Sequence, residues 1–257
     1  QRIHYLGFIK SVKVYLAGFK TIEKLWDKST EDIFLLSSFM EHRGKHKGGY
    51  ISQKNHILDS GAFTYLNGKK TDKIDWDNYI YEYANFINQY KVDLFFELDI
   101  DPIVGLNEVE RLRGKLESMT NKQCIPVWHK SRGLDYWLKM VQDYDYVAIG
   151  GIVTREIKRN EYTIFSKLLK IASENNCKVH GLGFTNMNGI KKFRFYSVDS
   201  TNWMSARFGT QGACIFKNSI INWFAKPKNK IKKDMNYFNL FNFKEWVKFQ
   251  EYAEEYL

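Results

Sequence analysis

Cysteine and proline are scarce in this chain, with three of each in 257 residues. The cysteines stand at 124, 177 and 214, and no two are spaced as C-x-x-C. That spacing excludes a disulfide framework and disfavours a cysteine-rich zinc site. No apolar run approaches the roughly 18 residues that span a bilayer, so no membrane partner is expected. A charged-then-apolar leader is also missing, which argues against a cleaved secretion signal. Gln1 is not an initiator methionine, so a few residues are expected upstream of it. No G-x-G-x-x-G follows the first expected strand, which disfavours a dinucleotide site. These absences leave a reduced, cytoplasmic, soluble protein as the expectation.

What the chain does have is apolar mass and positive charge. Hydrophobic residues make up 44% and aromatics 16%, enough for a large core and too much for a disordered chain. The 39 Lys and Arg outweigh 29 Asp and Glu, a net charge of +10. Such a balance suits a polyanionic partner, although a basic solvated surface gives the same sum. Residues 41–56 carry Arg43, Lys45, Lys47 and Lys54 among three glycines, and residues 226–233 hold five lysines. Both stretches read as basic loops, fit for phosphate contact rather than base reading.

Short apolar runs alternate with amphipathic stretches. Strands are expected at Val12–Ala17, Ile33–Ser37, His56–Leu58, Leu94–Leu98, Cys124–Trp128, Tyr146–Ile149, Lys178–Leu182 and Phe193–Val198. Helical spacing marks Trp76–Tyr90, Leu106–Met119, Asp135–Asp143, Glu161–Glu174 and Phe243–Tyr256. Eight strands alternating with helices point to a parallel α/β sheet, and eight is the number that closes a (β/α)8 barrel. An open doubly wound sheet is the runner-up. No linker divides the chain, so residues 1–257 are expected to form one domain without a zinc-binding subdomain. Residues 208–224 are expected to add a strand or hairpin, and the segment from 210 to 257 to close the barrel.

In a barrel of this class the chemistry lies at the carboxyl ends of the strands. Those positions read Asp59-Ser-Gly-Ala-Phe63, Glu97-Leu-Asp99-Ile-Asp101, Val127-Trp128-His129, Gly150-Gly151, His180-Gly-Leu-Gly183 and Ser197-Val-Asp199. Paired carboxylates at one rim suit a nucleophile and a proton carrier. Each residue also has a plainer role. Asp59 before Ser-Gly fits an Asx turn, Asp99 and Asp101 fit an acidic helix entry, and Asp199 fits an N-cap. Gly150-Gly151 fits a tight turn, and His129 and His180 fit packed histidines.

Taken in order, these residues resemble the tRNA-guanine transglycosylase superfamily. Asp59-Ser-Gly-Ala-Phe63 is similar to its D-S-G-G-F/Y, and Leu98-Asp99 to the acidic end of its fourth strand. Ala148-Ile-Gly-Gly151 matches its G-G loop, and His180-Gly-Leu-Gly183 its M-G-x-G turn. Ser197-Val-Asp-Ser200, with Arg207 eight residues past the Asp, resembles its F-D-C stretch and following arginine. The likeness runs over roughly residues 12 to 210, and order and spacing carry it. The zinc cluster of the tRNA enzymes is missing, and Val127-Trp128-His129 stands where they have V-Q-G. Those departures, with the short barrel, resemble the DNA-modifying branch of phages and bacteria.

The resemblance implies exchange of guanine in DNA for a free 7-deazaguanine, preQ0/preQ1-like, through a covalent aspartyl-glycosyl intermediate. It implies Asp199 as nucleophile, Asp59 as general acid/base and Asp99 as reader of the guanine edge, with Asp101 in reserve. Gly150 and Gly151 would approach the purine carbonyl. Phe63 and His180 would sandwich the ring, His180 replacing a methionine, with Trp128 also at the base. Arg207, Arg43, Lys45 and Lys47 are the candidate phosphate contacts. No metal or redox cofactor is implied. The same exchange on tRNA, an N-glycosidase-like hydrolase and a non-catalytic nucleic-acid-binding barrel stand as alternatives. Oligomeric state stays open, and lack of the zinc part is compatible with a monomer.

Overall fold

Alternation of short apolar runs with amphipathic stretches becomes alternation of strands and helices. The computed structural model describes residues 11–21, 32–43, 55–66, 74–205, 212–225 and 235–257. Along the chain come β1 (Lys13–Ala17), β2 (Leu35–Ser38), α1 (Phe39–His42), β3 (His56–Asp59), α2 (Phe63–Leu66) and α3 (Trp76–Tyr90). Next are α4 (Asp101–Val104), α5 (Leu106–Thr120), β4 (Val127–Trp128), α6 (Gly133–Asp143), β5 (Tyr146–Ile149) and α7 (Ile164–Glu174). The last are β6 (Lys178–Gly181), α8 (Met187–Lys192), β7 (Ser197–Ser200), β8 (Cys214–Lys217), β9 (Ile220–Trp223) and α9 (Met235–Tyr256). The chain divides into two compact units, Gln1–Ser29 with Trp128–Leu257, and Thr30–Val127.

In the first unit β1 pairs with β7, β7 with β6, and β6 with β5, all parallel. Apolar residues fill the strands, so Val14, Leu16, Val147, Ile149 and Val198 are fully buried. Parallel strands need covering on both faces, and near-continuous apolar runs are their signature. Helix α9 lies against β1, where the Gln250 side chain donates to the Val14 carbonyl at 2.6 Å. The Trp203 indole N–H donates to the Ala17 carbonyl at 2.8 Å, and its ring meets Phe243 edge-on at 5.1 Å. The hairpin expected after residue 208 is β8–β9, an antiparallel pair.

In the second unit β2 pairs in parallel with β3. Helix α3 is bounded as its spacing predicts. Asp75 caps it, accepting from the Asn78 N–H at 2.9 Å, and Lys91 closes it in the left-handed conformation at φ 52°. Its buried face is Tyr79, Ile80, Tyr83, Ala84 and Ile87. The Tyr83 hydroxyl lies 3.2 Å from the Leu58 carbonyl and 3.1 Å from that of Phe96, so the helix is tied to two neighbouring chain segments at once.

The expected (β/α)8 barrel is met at the level of its class, a mixed α/β chain with parallel strands. Seven of the eight expected runs form strands among the described residues, and these do not make a closed eight-stranded barrel. The exception is Leu94–Leu98, which makes isolated bridges to Leu58 and to Ile125. Its backbone alternates sides: Leu94 and Phe96 bond to Leu58, and Phe95 and Glu97 to Ile125, at 2.8–3.1 Å. It stops early because α4 begins at Asp101, with Pro102 in its first turn.

Candidate active site

The register of the first unit gathers its polar residues on one face. Side chains alternate along a strand, so Ser197 and Asp199 share a face of β7. Ser197 is the partner of His180 on β6, and His180 is the partner of Ala148 on β5. Tyr146, two residues before Ala148, therefore joins the same face. The result is a hydrogen-bonded chain. The Tyr146 hydroxyl lies 2.5 Å from the Ser197 hydroxyl, and Ser197 lies 2.5 Å from His180 Nδ1. His180 Nε2 lies 3.2 Å from Asp199 Oδ1.

The chain is buried throughout. His180 and Ser197 are fully inaccessible, and Asp199 and Tyr146 are each 9% exposed. Buried polar groups survive only when they are hydrogen-bonded, and each of these has a partner. Tyr15, on the neighbouring β1, packs edge-on against the His180 ring at 6.0 Å. Burial, then the charges of neighbouring tyrosines, pushes the Tyr146 hydroxyl well above its ordinary range. The His180 ring is thus no open platform for a purine: it holds the carboxylate beside it.

Asp199 Oδ1 takes a second bond, from the Gly183 N–H at 2.6 Å. Gly183 has φ 65°, and a Cβ there would meet Val153 Cγ2 at 2.3 Å. A side chain would therefore disturb the donor as well as the turn. Asp199 is no helix cap, because Thr201 occupies the cap of the turn that follows. In the neighbouring loop Gly151 has φ 75°, and a Cβ would meet Glu156 Oε2 at 2.7 Å. Glu156 accepts from the Ser131 N–H at 2.8 Å and lies 2.9 Å from His129 Nδ1. Burial alone would raise its carboxyl, but the bonds from His129 and Ser131 outweigh that and hold it below its ordinary value.

Two expected base contacts in this unit take other roles. The Gly150 N–H donates to the Trp128 carbonyl at 2.8 Å, so it serves the sheet rather than a ligand. Trp128 is 2% exposed, donates its indole N–H to the Gly133 carbonyl at 2.8 Å and meets Trp137 at 5.7 Å. It is a core side chain.

The other carboxylates belong to the second unit. Asp59, at the end of β3, accepts the Gly61 N–H at 3.1 Å, the Asx turn its sequence allowed. Phe63 opens α2. Asp99 is partly exposed, and Asp101 is the first residue of α4. Asp101 thus takes the acidic helix entry that its sequence allowed. Glu97, just before them, is fully buried; it lies 3.2 Å from Arg113 and accepts the Val127 N–H at 2.7 Å. Arg43 is exposed, pairs with Glu82 at 2.6 Å and lies over the Tyr79 ring. Lys45, Lys47 and Arg207 lie outside the described residues.

Sequence reasoning missed Tyr146, Ser197 and Glu156 as members of the site. The first two were legible as the polar partners of His180 and Asp199 in period-two strands. Glu156 carried no signal beyond its place five residues after Gly151. Among the described residues no cluster of three or more His, Cys, Asp and Glu is placed to hold a metal ion, and no helix is long and apolar enough to cross a membrane. No protein-family model matches the chain, and no curated protein matches it significantly.

Proposed function

We propose that the protein is a base-exchange transglycosylase, replacing guanine in DNA by a free 7-deazaguanine. The observation that carries this is Asp199: a nearly buried carboxylate at the carboxyl end of β7, held by a backbone N–H and an imidazole on one oxygen. A carboxylate so held is a fit nucleophile for a sugar anomeric carbon. Its lone pair forms a bond to C1′ while the C1′–N9 pair leaves with the guanine, which takes up a proton. The second base reverses the step, losing its own N9 proton as it attacks C1′. Two inversions give net retention, the logic of a retaining glycosidase with a base in place of water.

The resemblance adds Asp59 as proton carrier and Asp99 as reader of the guanine edge, which accepts from N1–H and the exocyclic amine. Loss of such contacts discriminates by several powers of ten. The parallel α/β architecture and the net charge of +10 are what a barrel enzyme acting on a polyanion needs. The target nucleotide must leave the stack before C1′ is reached. A sugar-cleaving hydrolase finds less support, because Trp128 and Trp203 are core side chains and offer no exposed platform.

The test is base exchange. The protein is incubated with DNA or tRNA labelled in guanine, with and without a panel of free 7-deazaguanines. Release from DNA that requires the free base supports the proposal. Release from tRNA alone moves the substrate to RNA, release without acceptor makes the protein a hydrolase, and no release overturns the enzymatic reading. DNA affinity is expected to fall steeply with salt, and a flat dependence argues against phosphate contact.

A further inference from the structure

Asp199 is held unevenly. Among the described residues both of its hydrogen bonds fall on Oδ1, from the Gly183 N–H at 2.6 Å and from His180 Nε2 at 3.2 Å. An ionised carboxylate only accepts, so Nε2 must carry a proton to bond there. The other end of the relay fixes the rest. The Tyr146 hydroxyl is protonated, because burial opposes the phenolate. Among the described residues its hydrogen bond is to Ser197, so its proton goes to the Ser197 oxygen. Ser197 has one proton left to give, and His180 Nδ1 is 2.5 Å away. Nδ1 therefore accepts, and His180 is neutral with its proton on Nε2. Reversing the order would bury the Tyr146 proton without an acceptor, which a buried hydroxyl resists.

We propose that His180 is a positioning residue, locked by Ser197 and Tyr146 in its Nε2–H form, that pins Asp199 by Oδ1 and leaves Oδ2 as the oxygen that attacks C1′. The proposal rests on Asp199 being the nucleophile. In the first step the Oδ2 lone pair forms the C1′–Oδ2 bond as the C1′–N9 pair departs with guanine, and Oδ1 becomes the ester carbonyl oxygen. In the second step the incoming base attacks C1′, the C1′–Oδ2 pair returns to the carboxylate, and charge reappears on Oδ1. The two donors meet that charge without reorganising, which favours release of the glycosyl group. The histidine thus serves the leaving of the enzyme's own carboxylate more than the binding of the base.

The test has two arms. Nitrogen-15 imidazole spectra of the whole chain, with His180→Gln to assign the signal, need no substrate. The Nε2–H form is expected for His180, lost or mixed in Ser197→Ala and Tyr146→Phe. A doubly protonated ring or the Nδ1–H form overturns the relay. The second arm is pre-steady-state guanine release and transfer to the free base. His180→Leu should lower kcat by about 100-fold with KM little changed, the size seen when one oxyanion donor is lost. His180→Gln, which keeps an N–H at the Nε2 position, should recover most of that loss. Recovery separates positioning from folding, and equal melting curves for Leu and Gln variants confirm it. A His180→Leu enzyme with unchanged kcat overturns the proposal while leaving the transglycosylase reading intact. Absence of base release by the unaltered protein overturns that reading and with it the catalytic role, and the imidazole spectrum then reports on the relay alone.

Discussion

Both units place an aspartate at the carboxyl end of a strand, Asp59 on β3 and Asp199 on β7, and the hydrogen bonds seen at each differ in range. Asp59 bonds to the N–H of Gly61, two residues along its own chain. Asp199 bonds to His180 on the adjacent strand and to Gly183 in the loop after it, sixteen or more residues away. The first contact forms wherever the local sequence forms. The second exists only once β6 and β7 are in register. A carboxylate of the second unit that bonds to distant groups is Glu97, and there one partner is the guanidinium of Arg113. Glu97 faces a full countercharge, whereas Asp199 is held by an imidazole and a peptide N–H.

Substitutions can break this contrast, the largest effect first. Asp199→Asn is expected to cut guanine release by about 10⁴-fold or more while the protein melts normally. Asp59→Asn is expected to lose less, about 10²- to 10³-fold, as for a proton carrier. Single-turnover release measures both, and a larger loss at Asp59 reverses the ranking. Glu97→Ala is expected to cost about 3 kcal/mol of unfolding free energy, because it removes the buried partner of Arg113 and leaves it the longer contact to Glu110 at 3.4 Å. Urea titration measures that. If Glu97→Ala is silent, the pair with Arg113 does not stabilise the fold.

Histidines sharpen the comparison. The second unit buries His56, which lies 2.7 Å from the Ser37 hydroxyl with His42 on the same oxygen at 3.2 Å. Burial first, and then His42, pushes its imidazole down to about 3. The unfolded chain therefore takes up a proton before the folded one does. Stability from this residue is full above about pH 6.5 and falls as pH drops towards 3, with a limiting slope of about 1.4 kcal/mol per pH unit. His56→Gln should flatten the slope of unfolding free energy in that window, and an unchanged slope removes His56 as the cause. The smallest effect is at the α3 cap. Asp75→Ala should cost about 1 kcal/mol, read from thermal melts, and leave base release untouched.

Much of the fold was legible because it is written locally. The α3 span and the β8–β9 hairpin follow from the spacing of apolar residues. Leu94–Leu98 was read as a full strand because its apolar run says nothing of how soon the chain turns into α4. At the site, sequence placed His180 and Asp199 at strand ends but gave His180 the wrong neighbour. A histidine in a loop motif suggests a ring open to a ligand, and only the pairing of His180 with Ser197 turns it inwards. Trp128 failed for a similar reason, since an aromatic at a strand end is as good a core residue as a platform. Asp101 moved to a helix entry because Pro102 suits the first turn.

The hydrogen bond from Gln250 to Val14 spans 236 residues. Strand β1 also pairs with β7, and the Val12 N–H bonds to the Ala253 carbonyl at 3.3 Å. The unit that carries Asp199 is thus sewn from segments on either side of residues 30–127, which form a continuous stretch. During synthesis the continuous unit can leave the ribosome whole before β7 has been translated. The β7 edge of β1 must wait, apolar and uncovered, until residues 197–200 have been translated. Long-range pairing of that kind is slow and exposes sticky surface in the interim. Chaperone demand in the cell should therefore track β1 rather than Asp199, on the strand it will eventually flank.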